Sequence, residues 1–411
     1  MKRRHFEGPR LDRACRQNDH SVVTGGASPP GQAGRRQMAW LSGESGESGE
    51  SGESGESGES GESGEGRRVR ASSRARALIT SREGVVGYWN QPSHTPDHYT
   101  AGPEALDRWS RDVRLRIFAG ELLSGLVYDE GETSISLQYR GRSDETFTPI
   151  VHMIRPNASD FAEQAAWVFN YAALRMERSS EILAELHDFT SFLGLVGYWN
   201  PSRSPHTAEL LALILQVTTT IEMRVKHALT CRRPIEYSPQ IQPMIQTPGH
   251  GSLPSGHATE SFAAAFVINA LMRKARTGRD DVDATDPVFV QLMRHAERIA
   301  INRTVAGVHF PVDSVAGMVL GWTLAELFIA RCSGCGQVTM RKFDGRGFND
   351  DFRYDDVLAM SYRRTAAANV ASEQGGGGAI IEAGTPSTVP ASPILQHLWT
   401  QALAECRLIV G

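Results

Sequence analysis

Three short motifs in one segment of the chain supply the residue types that a bound oxyanion demands. Lys226 is followed after six residues by Arg233-Pro234. On a helix that spacing is about two turns, roughly 10 Å, so two cations can converge. The second motif, Pro254-Ser255-Gly256-His257, follows the loop Thr247-Pro248-Gly249-His250-Gly251 and precedes an apolar stretch from Ala258. It reads as a helix start whose Ser255 and Gly256 amides point outward unpaired, where the helix dipole favours negative charge. Glycine there lets the main chain approach an oxygen closely. The third motif is Asn302-Arg303, five residues, His309, three residues, Asp313. Asp313 can accept one ring N–H of His309, which leaves the other nitrogen free to attack or to coordinate.

Each motif also has a purely structural reading: two surface cations, an N-cap turn, and a local i,i+4 pair. Taken together they are harder to dismiss. Three cations, an anion-nest turn and two histidines between Lys226 and Asp313 are costly to bury without an anion to neutralise them.

Helices must position these groups. Apolar residues recur at three- and four-residue spacing over 103–114, 159–193, 207–230, 257–275, 285–303 and 312–331, and a last helix is expected over 394–409. Strand-like alternation is confined to short pieces such as 134–139. The expected fold class is all-α, a helical bundle with the site at helix ends.

The chain divides into four parts on this reading: a low-complexity leader over 1–83, an N-terminal helical part over 84–206, the anion-binding core over 207–335, and a C-terminal loop and docking helix over 336–411. In the leader, Ser-Gly-Glu repeats eight times from Ser42 to Glu65, which offers nothing apolar to bury. Gly84-Val-Val-Gly-Tyr-Trp-Asn and Gly194-Leu-Val-Gly-Tyr-Trp-Asn resemble each other, though the match is lost in the residues that follow.

With 40% hydrophobic and 22% charged residues and a formal net charge of -4, there is no basic excess to suggest nucleic acid. The apolar run over 312–332 carries Asp313 and Glu326 and reads as a buried core helix, not a membrane span. No signal peptide is visible, so cytoplasmic residence is the default expectation. Cys332 and Cys335 form a lone Cys-x-x-Cys pair without two further ligands for zinc, while Cys15, Cys231 and Cys406 are scattered.

In this order, Lys-x6-Arg-Pro, Pro-Ser-Gly-His and Asn-Arg-x5-His-x3-Asp resemble the signature of the superfamily shared by type 2 phosphatidic acid phosphatases, bacterial acid phosphatases and vanadium-dependent haloperoxidases. The resemblance covers Lys226 to Asp313 and departs at Asn302, where serine is usual. It implies a helical fold of the haloperoxidase and acid phosphatase type. It also implies that Lys226, Arg233 and Arg303 bind equatorial oxygens with Ser255 and the Gly256 amide, that His257 is the general acid and base, and that Asp313 holds His309. His309 would be the axial vanadium ligand, or the group that attacks phosphorus.

The absence of an evident membrane span and the presence of His250, a halide-site candidate by resemblance, tilt the expectation toward a vanadate-dependent haloperoxidase. Its partners would be hydrogen peroxide, bromide or iodide and a small organic acceptor, in a possible homo-oligomer. Met223 stands where such enzymes can carry tryptophan near the halide. The alternative is a soluble acid phosphatase with a phosphohistidine intermediate. A third reading, from another class, is a non-catalytic anion-binding or scaffold protein that uses the acidic repeat for partners.

Overall fold

The structure is a computed structural model that describes residues 88–141, 147–334, 336–362 and 380–410. The Ser-Gly-Glu leader, Cys15, the start of the first Gly-Tyr-Trp copy, Cys335 and the glycine run at 375–378 lie outside the described residues.

A 3-10 turn over Pro103–Arg108 precedes α1 (Arg111–Leu123), so the helix expected over 103–114 is split at Trp109 and Ser110. The periodicity of 159–193 likewise resolves into α2 (Ala158–Tyr171), a 3-10 turn, α3 (Arg175–Asp188) and α4 (Thr190–Gly197). Then come α5 (Pro205–Leu229), the short α6 (Pro234–Tyr237), α7 (Gly256–Thr277), α8 (Pro287–Ala306) and α9 (Pro311–Ser333), followed by α10 (Tyr354–Tyr362) and α11 (Pro393–Val410). Proline opens α5, α8 and α9, where its missing N–H costs nothing. Gly278, Gly307 and Gly334 close α7, α8 and α9 with positive φ.

The all-α expectation is corrected by a five-stranded mixed sheet of order β1-β2-β3-β4-β5: β1 (Leu126–Glu130), β2 (Ser134–Arg140), β3 (Phe147–Ile154), β4 (Gln337–Asp344) and β5 (Ile380–Thr388). Neighbours run antiparallel except β3 and β4, which pair in parallel with Val151 opposite Arg341 and Ile154 opposite Asp344. Only β2 shows a clean alternation, with Ile135, Leu137 and Tyr139 turned inward. The β3–β4 pairing joins distant parts of the chain and leaves no periodic trace in either strand.

A single large core runs through helices and sheet. Its axis is α7, which is buried on every face from Gly256 to Asn269, and α9, which lies against it. Gly317 and Gly321, one turn apart on α9, permit the close approach: a Cβ on Gly317 would lie 2.8 Å from the Ser255 carbonyl, and one on Gly321 would collide with the Thr259 carbonyl. Pro311–Ser333 is long and apolar enough to cross a membrane, but 89% of its apolar window is buried in the fold. The C-terminal α11 docks on α5 and α7, and its Glu405 accepts from the His206 and Thr207 amides at 2.9 and 2.8 Å, satisfying the start of α5.

Candidate active site

The last turn of α5 delivers Lys226, buried along its whole stem at 1% exposure. Its ammonium donates to the carbonyls of Pro254 at 2.5 Å and Ser252 at 3.4 Å, so it holds the loop that leads into α7.

Arg233 sits just before α6, its amide donating to Glu236 at 2.7 Å. Its guanidinium spans the site. Nε donates to the His250 carbonyl and Nη2 to His250 Nδ1, both at 3.1 Å, while Nη1 donates to the Val308 carbonyl and to His309 Nε2, both at 2.9 Å. A guanidinium only donates, so Nε2 of His309 carries the lone pair and the ring proton is on Nδ1. Nδ1 donates to Asp313 Oδ2 at 2.9 Å. The same carboxylate oxygen accepts from the Phe310 amide at 2.9 Å and from the Ser252 hydroxyl. The structure thus realises the tautomer that the His309–Asp313 spacing suggests, with the basic nitrogen turned to a cation.

Ser255 caps α7, accepting from Ala258 N at 3.5 Å, and its own amide donates to the Asp313 carbonyl at 2.9 Å. The expectation that this amide points outward unpaired is therefore corrected: it stitches the start of α7 to the start of α9. Gly256 is needed for a further reason. A Cβ there would lie 2.7 Å from Oε1 of Glu222, a fully buried carboxylate one turn before Lys226.

Arg303 comes from the last turn of α8 and is fully buried. Its Nη2 donates to Glu185 Oε2 at 2.6 Å and to the Ile182 carbonyl at 3.3 Å, whereas Nε and Nη1 have no hydrogen-bond partner among the described residues. Unpartnered buried guanidinium donors are costly, and an oxyanion would satisfy them. Glu185 also accepts from Asn302 Nδ2 at 2.6 Å. Asn302, the departure from the usual serine, therefore works as a brace between α8 and α3. Burial pushes the Glu185 carboxyl up to about 7, against the opposing pull of Arg303 and Asn302.

His257, in the first turn of α7, is fully buried with its ring 5.9 Å from that of Phe189. The structure joins Lys226, Arg233, His250, Ser255, His309 and Asp313 through direct contacts or one shared loop, while the side chains of Arg303 and His257 are held by α3 and Phe189. Glu185 and Glu222 were missed from the sequence. Only the i,i+4 spacing of Glu181 and Glu185 on α3, and of Glu222 and Lys226 on α5, hinted at them.

A cleft of about 440 Å³ reaches this site, with Arg233, His250 and Cys231 in its lining. Burial pushes the Cys231 thiol up to about 12, which removes it as a competing nucleophile. No cluster of three histidine, cysteine or acidic groups suited to a metal ion occurs among the described residues.

Comparison with known proteins places a match to the PAP2 superfamily on residues 207–333. Bacitracin transport permease protein BcrC of Bacillus licheniformis is 28% identical over 149 residues, which cover 36% of this chain and 66% of the permease. Among solved structures, a transmembrane PAP2-type phosphatidylglycerolphosphate phosphatase from Bacillus subtilis is similar over 55% of this chain and 93% of its own, at 17% identity and a TM-score of 0.28. The cytoplasmic expectation is corrected by this comparison: the curated relative that the chain matches is a transport permease. Every motif residue from Lys226 to Asp313 falls within residues 207–333, the segment that matches the PAP2 superfamily.

Proposed function

We propose that the site hydrolyses phosphate monoesters through a phosphohistidine on His309. The observation that carries this reading is the state of His309: Nδ1 is tied to a buried carboxylate, and the lone pair of Nε2 lies 2.9 Å from the Arg233 guanidinium. A phosphoryl group drawn to Arg233 arrives beside a nitrogen already in its nucleophilic form. Nε2 attacks phosphorus as the ester P–O bond breaks, and the departing oxygen takes its proton from His257. Water then attacks phosphorus and gives its proton to His257, the N–P bond breaks, and phosphate leaves. Lys226, Arg233 and the unpartnered donors of Arg303 bind the oxygens whose charge grows in the transition state.

The same donors fit vanadate: Lys226, Arg233, Ser255, Gly256, Arg303 and His309 would hold it, and it would then supply halide oxidation by hydrogen peroxide. The superfamily match of residues 207–333 favours the phosphatase, so vanadate is assigned here the role of inhibitor.

The test is single-turnover labelling of the full chain with an aryl phosphate. Expected are vanadate-sensitive release of the phenol and an acid-labile phosphoryl label on His309, both lost in His309→Ala. Hydrolysis undiminished in that variant would overturn the assignment.

A further inference from the structure

We infer that the part of the substrate alcohol next to phosphorus, which fills the cleft, is a short polyhydroxylated segment and not a hydrocarbon chain; this rests on the phosphomonoester reading above. Lys226, His257, Arg303 and His309 are each at most 1% exposed, so the reacting centre is closed and the rest of a substrate must reach solvent through an opening. The 440 Å³ cleft meets that need, because Arg233 lines it and also touches His309 Nε2. Its volume lies at the small end of ligand sites, roughly 300–1,000 Å³.

The chemistry of its walls selects the occupant. Thr230, Arg232, Glu236, Thr247 and His250 contribute hydroxyls, a guanidinium, a carboxylate and an imidazole, and among the described residues no leucine, isoleucine, valine, methionine, phenylalanine, tyrosine or tryptophan lines the cleft. Each hydroxyl of a polyol donates and accepts, so it can pair with every one of these groups. A hydrocarbon chain would instead strip water from Arg232 and Glu236 and return nothing. The fold does build apolar walls elsewhere: a second cleft of about 450 Å³ is lined by Phe169 and Ile241, but none of the site residues reaches it.

Two sources share this chemistry, a free polyol phosphate and the phosphorylated polyol headgroup of a lipid whose chains stay outside. The test compares kcat/KM of the full chain for glycerol 3-phosphate, a lipid bearing a terminal glycerol phosphate in detergent micelles, dodecyl phosphate and p-nitrophenyl phosphate. The expected result is at least about a tenfold preference for one or both polyol esters over dodecyl phosphate, with the better of the two naming the source. Arg232→Leu with Thr247→Leu should shrink that preference severalfold. Turnover of aryl and dodecyl phosphates with no advantage for either polyol ester overturns this inference alone. Failure with every ester, the aryl phosphate included, removes the phosphomonoester reading and this inference with it.

Discussion

At the His309 end of the site, Arg233, His309, Asp313 and Ser252 form a continuous buried row of hydrogen bonds. At the Arg303 end, one nitrogen of the guanidinium is held by Glu185 while two others have no partner among the described residues. The first end is complete in itself and fixes a tautomer. The second is incomplete, and its carboxylate competes with any incoming anion for the same cation. The proposed nucleophile is thus organised by groups that need no substrate, whereas part of the proposed anion-binding capacity is set by the charge on Glu185.

Asp313→Asn strikes the completed end hardest. Without the carboxylate, Nδ1–H loses its charged acceptor and the opposite tautomer becomes accessible. Turnover of an aryl phosphate should fall about a hundredfold with little change in KM. A kcat within twofold of the parent would show that Asp313 does not orient His309.

Gly321→Ala tests whether close packing of α7 on α9 keeps that end intact. The added Cβ meets backbone atoms of Thr259 and Ala263, which cannot swing aside as a side chain would. The expected cost is about 1–3 kcal/mol in thermal or denaturant unfolding, with kcat reduced because the Ser255 turn moves off Asp313. Unchanged stability would mean that the two helices are not locked there.

Glu185→Gln acts on the incomplete end and should have the smallest effect, a few-fold. Burial raises the Glu185 carboxyl from its ordinary 4.5 to about 7, with Arg303, Asn302 and Glu181 around it. Below about 7 the carboxyl is neutral and Arg303 is released to the substrate; above it, carboxylate and substrate compete. KM of the parent should therefore rise as pH passes through about 7, and the variant should lose that rise. The stability sign follows from proton binding: between about 4.5 and 7 the folded state holds a proton that the unfolded state has released, so stability falls as pH rises through this window. Superimposable KM profiles for parent and variant would exclude competition by Glu185.

The difference between the two ends also marks what was legible in the residues. The His309–Asp313 pair lies within one turn of chain at a helix start, and local geometry brings it together. The role of Asn302 and the need for Glu185 were not legible, because Asn302 and Arg303 on α8 meet Glu185 on α3, more than a hundred residues away in the chain. From Lys226 to Asp313 the motifs contain no carboxylate but Asp313, so by sequence the buried cations lack a counter-charge. Glu185 and Glu222 are buried in the same region and carry part of that charge balance. Helix existence was legible from periodicity at α5, α7, α8 and α9. The sheet was not, because β4 and β5 alternate poorly and β3 meets β4 only after α9 has returned the chain.

By itself, the order of residues determined where the main helices start, which groups could grip an oxyanion, and which histidine has an orienting carboxylate within reach. Each of these depends on spacings of a few residues, and backbone geometry fixes such distances whatever the rest of the chain does. Only the tertiary structure decided that Arg233 reaches His309, that Arg303 shares its charge with Glu185, that Gly317 and Gly321 bring the starts of α7 and α9 into contact, and that a polar cleft is lined in part by Arg233. Those are meetings between segments far apart in the chain, settled by how the whole core packs rather than by any local pattern.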